Sequence, residues 1–332
     1  MNLPEGRDLP AEPYDEVSRQ VGDWIAEQVF QAELEGVVVD DLARETPSEP
    51  VCFRDVHPPY RGVPPWLLQV FPETGGGGGR MTERELDVIA ERPDALAVRI
   101  GGLDQAIFER FVTRYGRQFL AIDFYKCPLI TDLSPLEDLP GLRLVEFFWN
   151  QRAARLWDLS QNPALTGLRF RDFNRLHDLE DLRAGAALRE VGFGDGMWST
   201  SVFESLEPLT VLGGLRSLSF NAKRIGDGRI EPLGELTGLE ELDIPTNMYT
   251  TGQLAWLRAR LPDSVRSRSL APVYLVREPF VDGRGRVLDV RLVGKGKPFL
   301  NSVADEARIR KHVDGFWQLV DAFRRDPALR PD

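Results

Sequence analysis

Two cysteines and three histidines carry most of the nucleophile and metal-ligand chemistry available to this 332-residue chain. Cys52 and His57 lie close together in a proline-rich stretch. A thiol near an imidazole is the start of a nucleophile–base pair, in which the imidazole takes the thiol proton. Such a pair needs a third group to orient the imidazole, and the stretch offers none. Cys127, His177 and His312 are scattered, so no cluster has zinc spacing. His177 falls in Leu176-His-Asp-Leu179 and reads as a turn residue. Acidic neighbours such as Glu180 and Asp181 read as a solvated face, not as an acid–base dyad. The stretch Gly294-Lys-Gly-Lys-Pro298 would offer backbone amides and the ammonium groups of Lys295 and Lys297 to an anion such as phosphate. It lacks the Gly-x-x-x-x-Gly-Lys-Ser/Thr form and its strand–loop–helix frame, so a solvated turn is the favoured reading. Gly75–Gly79 lacks a following lysine and helix and reads as a linker. No metal or organic cofactor is implied, and an enzyme is not expected.

The elements around these residues are set by a repeat. The pattern L-x-x-L-x-L, with Val, Ile or Phe allowed, occurs at Phe119-x-x-Ile122-x-Phe124, Leu142-x-x-Val145-x-Phe147 and Leu165-x-x-Leu168-x-Phe170. It continues at Leu188-x-x-Val191-x-Phe193, Leu215-x-x-Leu218-x-Phe220 and Leu239-x-x-Leu242-x-Ile244, with a weaker first copy at Ala95-x-x-Val98-x-Ile100. The central residues 98, 122, 145, 168, 191, 218 and 242 are spaced by 24, 23, 23, 23, 27 and 24. Each unit predicts a short strand and a return segment. A single unit cannot bury its apolar side alone, so the units must stack into a solenoid.

On these residues the chain resembles the leucine-rich-repeat family. Ile130-Thr-Asp-Leu-Ser-Pro-Leu-Glu-Asp-Leu-Pro-Gly-Leu142 looks like the repeats of internalins and SDS22-type phosphatase regulators. The resemblance implies a bacterial member with an α/β fold: a right-handed solenoid of about seven repeats with a curved parallel sheet. It also implies Asn or Cys three residues past the last strand position, bonding the backbone at the turn. Cys127, Asn150 and Asn247 stand there, whereas Phe173, Gly196 and Lys223 replace it in other copies.

Three parts are expected: a capping region over 1–92, the solenoid over 93–262 and a small domain over 263–332. In the first, Tyr14–Gly36 has an amphipathic helical pattern, with Val17, Val21, Trp24, Ile25 and Val29 on one face. Thr82 opens a short helix with capping-box spacing to Glu85. Leu103–Tyr115 reads as the first return helix, and Met248–Pro262 as a closing helix. In the last part, Val273–Glu278 and Arg286–Val293 predict a hairpin across Asp282–Gly285. A final helix begins at Ser302, with Ile309, Val313, Phe316, Trp317, Val320 and Phe323 on its apolar face.

Strand residues that alternate with the core positions face the open side of the sheet. Its centre collects Tyr125, Phe148 and Trp149 beside Arg169 and Arg171, ringed by Asp123, Lys126, Glu146 and Asp172. Glu190, Asp195 and Asn221 extend it. Aromatics interleaved with arginine are the composition of protein-binding hot spots, so another protein is the expected partner. The alternative is that Phe148 and Trp149 pack against the N-terminal region. Gly192 and Gly194 are expected to leave a depression for a partner side chain. Two further readings stay open. An added domain could do chemistry, although 263–332 has no cysteine. The segment with Lys295, Lys297, Arg308, Arg310 and Lys311 could bind an anionic ligand.

The net charge is −11. That argues against nucleic acid as a partner of the whole chain. The acidity is uneven: 1–92 carries 8 bases and 19 acids, whereas 263–332 carries 14 bases and 10 acids. The first residues lack the basic and apolar regions of a signal peptide, and no apolar run reaches the length of a membrane span. A cytoplasmic monomer is the expectation.

Overall fold

The computed structural model describes residues 67–73, 79–196 and 200–331. The Tyr14–Gly36 pattern, Cys52, His57 and most of the glycine linker lie outside the described residues. The chain forms two compact units, one running to Leu239 and the other starting at Glu240.

The first unit is built on strands β1 (Leu67–Val70), β2 (Ala97–Gly101), β3 (Ala121–Tyr125), β4 (Leu144–Asn150), β5 (Gly167–Phe173), β6 (Glu190–Gly194) and β8 (Ser217–Asn221). They lie parallel in that order. The central residues of the repeat form one register row, Val98, Ile122, Val145, Leu168, Val191 and Leu218. All six are buried. Two residues further along, Ile100 gives way to Phe124, Phe147, Phe170, Phe193 and Phe220. Phe124 stacks on Phe147 at 4.5 Å and Phe193 on Phe220 at 5.0 Å between ring centroids.

Return segments follow a second spacing. Leucines recur every third residue at 133, 136, 139 and 142, and again at 206, 209, 212 and 215. A 3₁₀ helix has three residues per turn, so this spacing puts every leucine on one side. The chain obliges with 3₁₀ turns at Ser134–Asp138, Leu159–Gln161, Glu180–Ala184, Glu207–Val211 and Glu231–Glu235. Their N–H groups reach back three residues, as Leu136 to Leu133 and Leu139 to Leu136. The first return segment is instead the α-helix Gln105–Tyr115, capped by Asp104 through the Ile107 N–H. Thr82 and Glu85 do form a capping box, but its helix stops after Glu83–Leu86.

Asn150 shows what the repeat asparagine does. Its amide donates to the carbonyls of Cys127 and Ile130, and its Oδ1 accepts from the N–H groups of Arg152 and Ala153. Phe173 stands at the same position one copy later and packs edge-on to Phe147 and Phe170 instead. The long step to Leu218 is an insertion after β6. Asp195 closes it, and β7 (Val202–Phe203) pairs with β9 (Arg224–Ile225) beside it.

The second unit starts with β10 (Glu241–Asp243). The closing helix is Thr251–Arg260, with a capping box between Thr250 and Gln253. Strands β11 (Val273–Val281) and β12 (Val287–Leu292) pair antiparallel across the expected turn, where Asp282 accepts from the N–H groups of Arg284 and Arg286. A third strand, β13 (Phe299–Leu300), pairs with β12. The last helix, Glu306–Arg325, buries Ile309, Val313, Phe316, Val320 and Phe323, and Trp317 is partly buried at the same core. Ser302 is not its N-cap: it bonds Asp289 through its N–H and hydroxyl, and the helix begins after Asp305. That ties the strand-to-helix connection to β12 before the helix can start.

His312 lies on this helix, with its Nε2 3.1 Å from the Pro272 carbonyl. Burial, and then the Lys297 charge, hold its pKa below the ordinary 6.5. The folded chain therefore resists protonation that the unfolded chain accepts. Stability is intact above about pH 6.5 and is lost as pH falls through the folded-state value. Thermal melts of wild type and His312→Gln at pH 7.5 and 5.5 should show the larger acid-side loss in wild type. Equal losses would contradict this.

Candidate functional site

The open side of the sheet carries two register rows opposite the core. One runs Arg99, Asp123, Glu146, Arg169, Gly192, Ser219; the other runs Gly101, Tyr125, Phe148, Arg171, Gly194, Asn221. The strands thus bring Tyr125, Phe148, Arg169 and Arg171 side by side, with Asp123 and Glu146 between them. Tyr125 stacks on Phe148 at 5.3 Å, and the Arg171 guanidinium lies 5.7 Å from the Phe148 centroid.

Asp123 and Glu146 are 3 % and 2 % exposed. A buried carboxylate is costly unless it is paired. Asp123 pairs with Arg99 at 2.5 Å, and Glu146 takes Arg171 and, at 3.8 Å, Arg169. The acids therefore position arginines. Arg99, which also lies 5.6 Å from the Tyr125 centroid, was not among the sequence candidates. The same alternation applied to the first, weaker copy points to it.

At the strand ends the backbone turns left-handed at three adjacent non-glycine residues: Lys126 at φ 54°, Trp149 at 66° and Asp172 at 56°. Gly102 holds the same register position before them at 72°. This conformation costs an L-residue about 1–2 kcal/mol, and strain of this kind gathers at functional sites. It aligns three side chains along one edge. Trp149 is 37 % exposed. The Lys126 ammonium sits 5.2 Å from the Tyr125 ring and 5.9 Å from the Trp149 ring. Asp172 accepts the Gly196 N–H at 2.8 Å. Lys126→Gly should raise stability by about 1 kcal/mol in urea unfolding, because glycine adopts this turn without strain. A loss would mean that the ring contacts outweigh the strain.

The expected depression at Gly192 and Gly194 is absent. A methyl group at Gly192 would meet Arg169 Nε at 3.0 Å and Ser219 Oγ at 2.9 Å, so neighbouring side chains already fill the space. At Gly194 it would meet the Asn221 carbonyl at 2.0 Å. Both glycines allow close packing. Asp195 is buried and accepts the N–H groups of Thr200 and Ser201, while Asn221 donates to the Asp195 carbonyl at 3.0 Å. Glu190 is half-buried at the start of β6.

The other candidates lie elsewhere. Burial pushes the Cys127 thiol up to about 12, and its Sγ lies 3.8 Å from the carbonyls of Ile100 and Tyr125, so the side chain is held inside as the weakly nucleophilic thiol. In a Cys52→Ala variant, Ellman's reagent should leave the remaining thiol untouched until denaturant is added; labelling of the native protein would contradict this burial. In the Gly294–Pro298 turn, the N–H groups of Gly294, Lys295 and Lys297 donate to the carbonyls of Thr246, Tyr249 and Gly294. Those amides are used, which leaves the lysine ammonium groups as the anion-attracting part. Arg310 pairs with Glu306 one helical turn away. Among the described residues, no helix is long and apolar enough to cross a membrane.

No family model and no curated protein matches this chain. Solved structures do. An internalin C2 from Listeria monocytogenes is 15 % identical over 70 % of this chain and 84 % of its own, with a TM-score of 0.35. The functional domain of InlJ, also from Listeria monocytogenes, is 9 % identical over 74 % of this chain and 63 % of its own, with a TM-score of 0.37. The Toll–Spatzle complex of Drosophila is 14 % identical over 55 % of this chain and 24 % of that one, with a TM-score of 0.38. Independently of them, the register rows, the one-strand repeat and the asparagine at the turn make the first unit a leucine-rich-repeat solenoid.

Proposed function

We propose that the chain is a non-enzymatic protein-interaction module whose open sheet face holds a partner protein around Tyr125, Phe148, Trp149 and Arg171. One observation carries this reading: an aromatic stack and an exposed tryptophan flank an arginine held by a buried carboxylate. Large aromatics and arginine dominate binding energy at protein interfaces, and groups already ordered lose less entropy on binding. In this reading Asp123, Glu146 and Arg169 set the geometry, Lys126 and Asp172 form the rim, and Glu190, Asp195 and Asn221 mark the far side.

Affinity purification from the native cells tests it, with the whole chain as bait beside a Phe148→Ala/Trp149→Ala variant that remains folded by circular dichroism. At least one protein should be held by the wild type and lost by the variant. An unchanged set of captured proteins would overturn the assignment.

A further inference from the structure

We infer that the partner presents an acidic segment, with carboxylates flanking an apolar side chain, to the patch of Tyr125, Lys126, Phe148, Trp149 and Arg171. This rests on the protein-binding reading above and names the chemistry of the partner.

The chain as a whole is at −11, so an acidic partner meets repulsion over most of the molecule. On this patch the balance reverses. The carboxylates of Asp123 and Glu146 are withdrawn from the surface and engaged with arginine. Asp172 gives an oxygen to the Gly196 N–H. Four cations, Arg99, Lys126, Arg169 and Arg171, meet these three carboxylates, a local excess of one positive charge; the Arg171 side chain is 39 % exposed, and Lys126 is partly exposed at the strand ends. Both lie over rings, Arg171 on Phe148 and Lys126 between Tyr125 and Trp149. A cation held against a ring has already shed part of its water and fixed its rotamer. It therefore gives up less when a carboxylate arrives. The Tyr125–Phe148 stack supplies the apolar seat between the two charges.

Screening limits such attraction to about 8 Å at physiological salt, so only a carboxylate delivered to the patch benefits from it. Acidic groups elsewhere on the same partner face a net negative surface. The arrangement favours a local acidic motif over general acidity.

A displayed nonapeptide library tests this, with an aromatic or aliphatic centre and flanks randomised among Asp, Glu, Asn, Gln, Lys and Arg. It is selected on the full chain, then on Lys126→Glu and on Phe148→Ala. Sequencing should show Asp and Glu enriched at the flanks about tenfold over Asn and Gln, with Lys and Arg depleted. Lys126→Glu, a change at the patch edge outside the core, should remove that bias and admit Lys-flanked peptides. Raising salt from about 0.05 to 0.3 M should weaken the selected peptides about tenfold. Enriched peptides that need Phe148 but show no acidic bias would overturn the acidic class and leave the face assignment standing. Peptides that bind Phe148→Ala as well as wild type would overturn both, and a library with no enrichment would overturn the acidic class.

Discussion

Phe147→Ala should destabilise the protein by about 3–5 kcal/mol, the usual cost of removing a fully buried phenylalanine. Phe147 is 1 % exposed and lies in the middle of the aromatic row. It stacks on Phe124 at 4.5 Å and meets Phe173 at 5.7 Å and Trp157 at 6.5 Å. The cavity would open between two repeats, not inside one. A stacked array is held by its nearest-neighbour interfaces, so weakening a central one loosens the coupling between its two sides. Urea unfolding should show both a lower midpoint and a shallower transition. Phe147→Leu fills most of the space and should cost less than half as much. A loss under about 1 kcal/mol for the alanine variant would mean that the row does not carry the core.

Phe148→Ala with Trp149→Ala should weaken the partner complex about 100-fold, or roughly 3 kcal/mol, while the chain stays folded. The two adjacent positions make a sharp contrast with Phe147. Along β4 the side chains alternate, so Phe147 faces the core and Phe148 the open side. The left-handed turn at Trp149 then breaks the alternation and keeps the indole exposed at the edge. Phe148→Ala also removes the ring beneath Arg171, so part of the loss comes from a less ordered guanidinium. Arg171→Gln alone should show this part as a smaller fall in affinity, read by isothermal titration. An affinity unchanged in the double variant would place the partner elsewhere.

Much of this fold was legible in the residues, for reasons that differ by element. The repeat fixes strand register because a side chain in a parallel stack faces its counterpart in the next copy. Val98, Ile122, Val145, Leu168, Val191 and Leu218 line up in the structure as they do in the sequence. The same logic brought the aromatic and arginine residues of the open side together. What escaped was whatever depends on more than alternation. Glycine at 192 and 194 looks like missing volume, yet long neighbours reach over it, and only coordinates show where Arg169 goes. Of the left-handed turns at Lys126, Trp149 and Asp172, only the last falls on a residue type enriched in that conformation; lysine and tryptophan rarely adopt it, so residue type gave no warning at those two. Ser302 carries the spacing of a helix cap but is captured by Asp289 across the strand. Two-residue β13 is too short to show a period of its own.

Crosslinking reports whether the open face of the sheet meets the partner. A photoreactive benzoylphenylalanine would replace Phe148 on the sheet face or, for comparison, Val211, which is 52 % exposed in the return segment Glu207–Val211. Irradiation in the native cells should give a discrete protein adduct from position 148 and none from 211. An adduct from 211 with none from 148 would contradict the account.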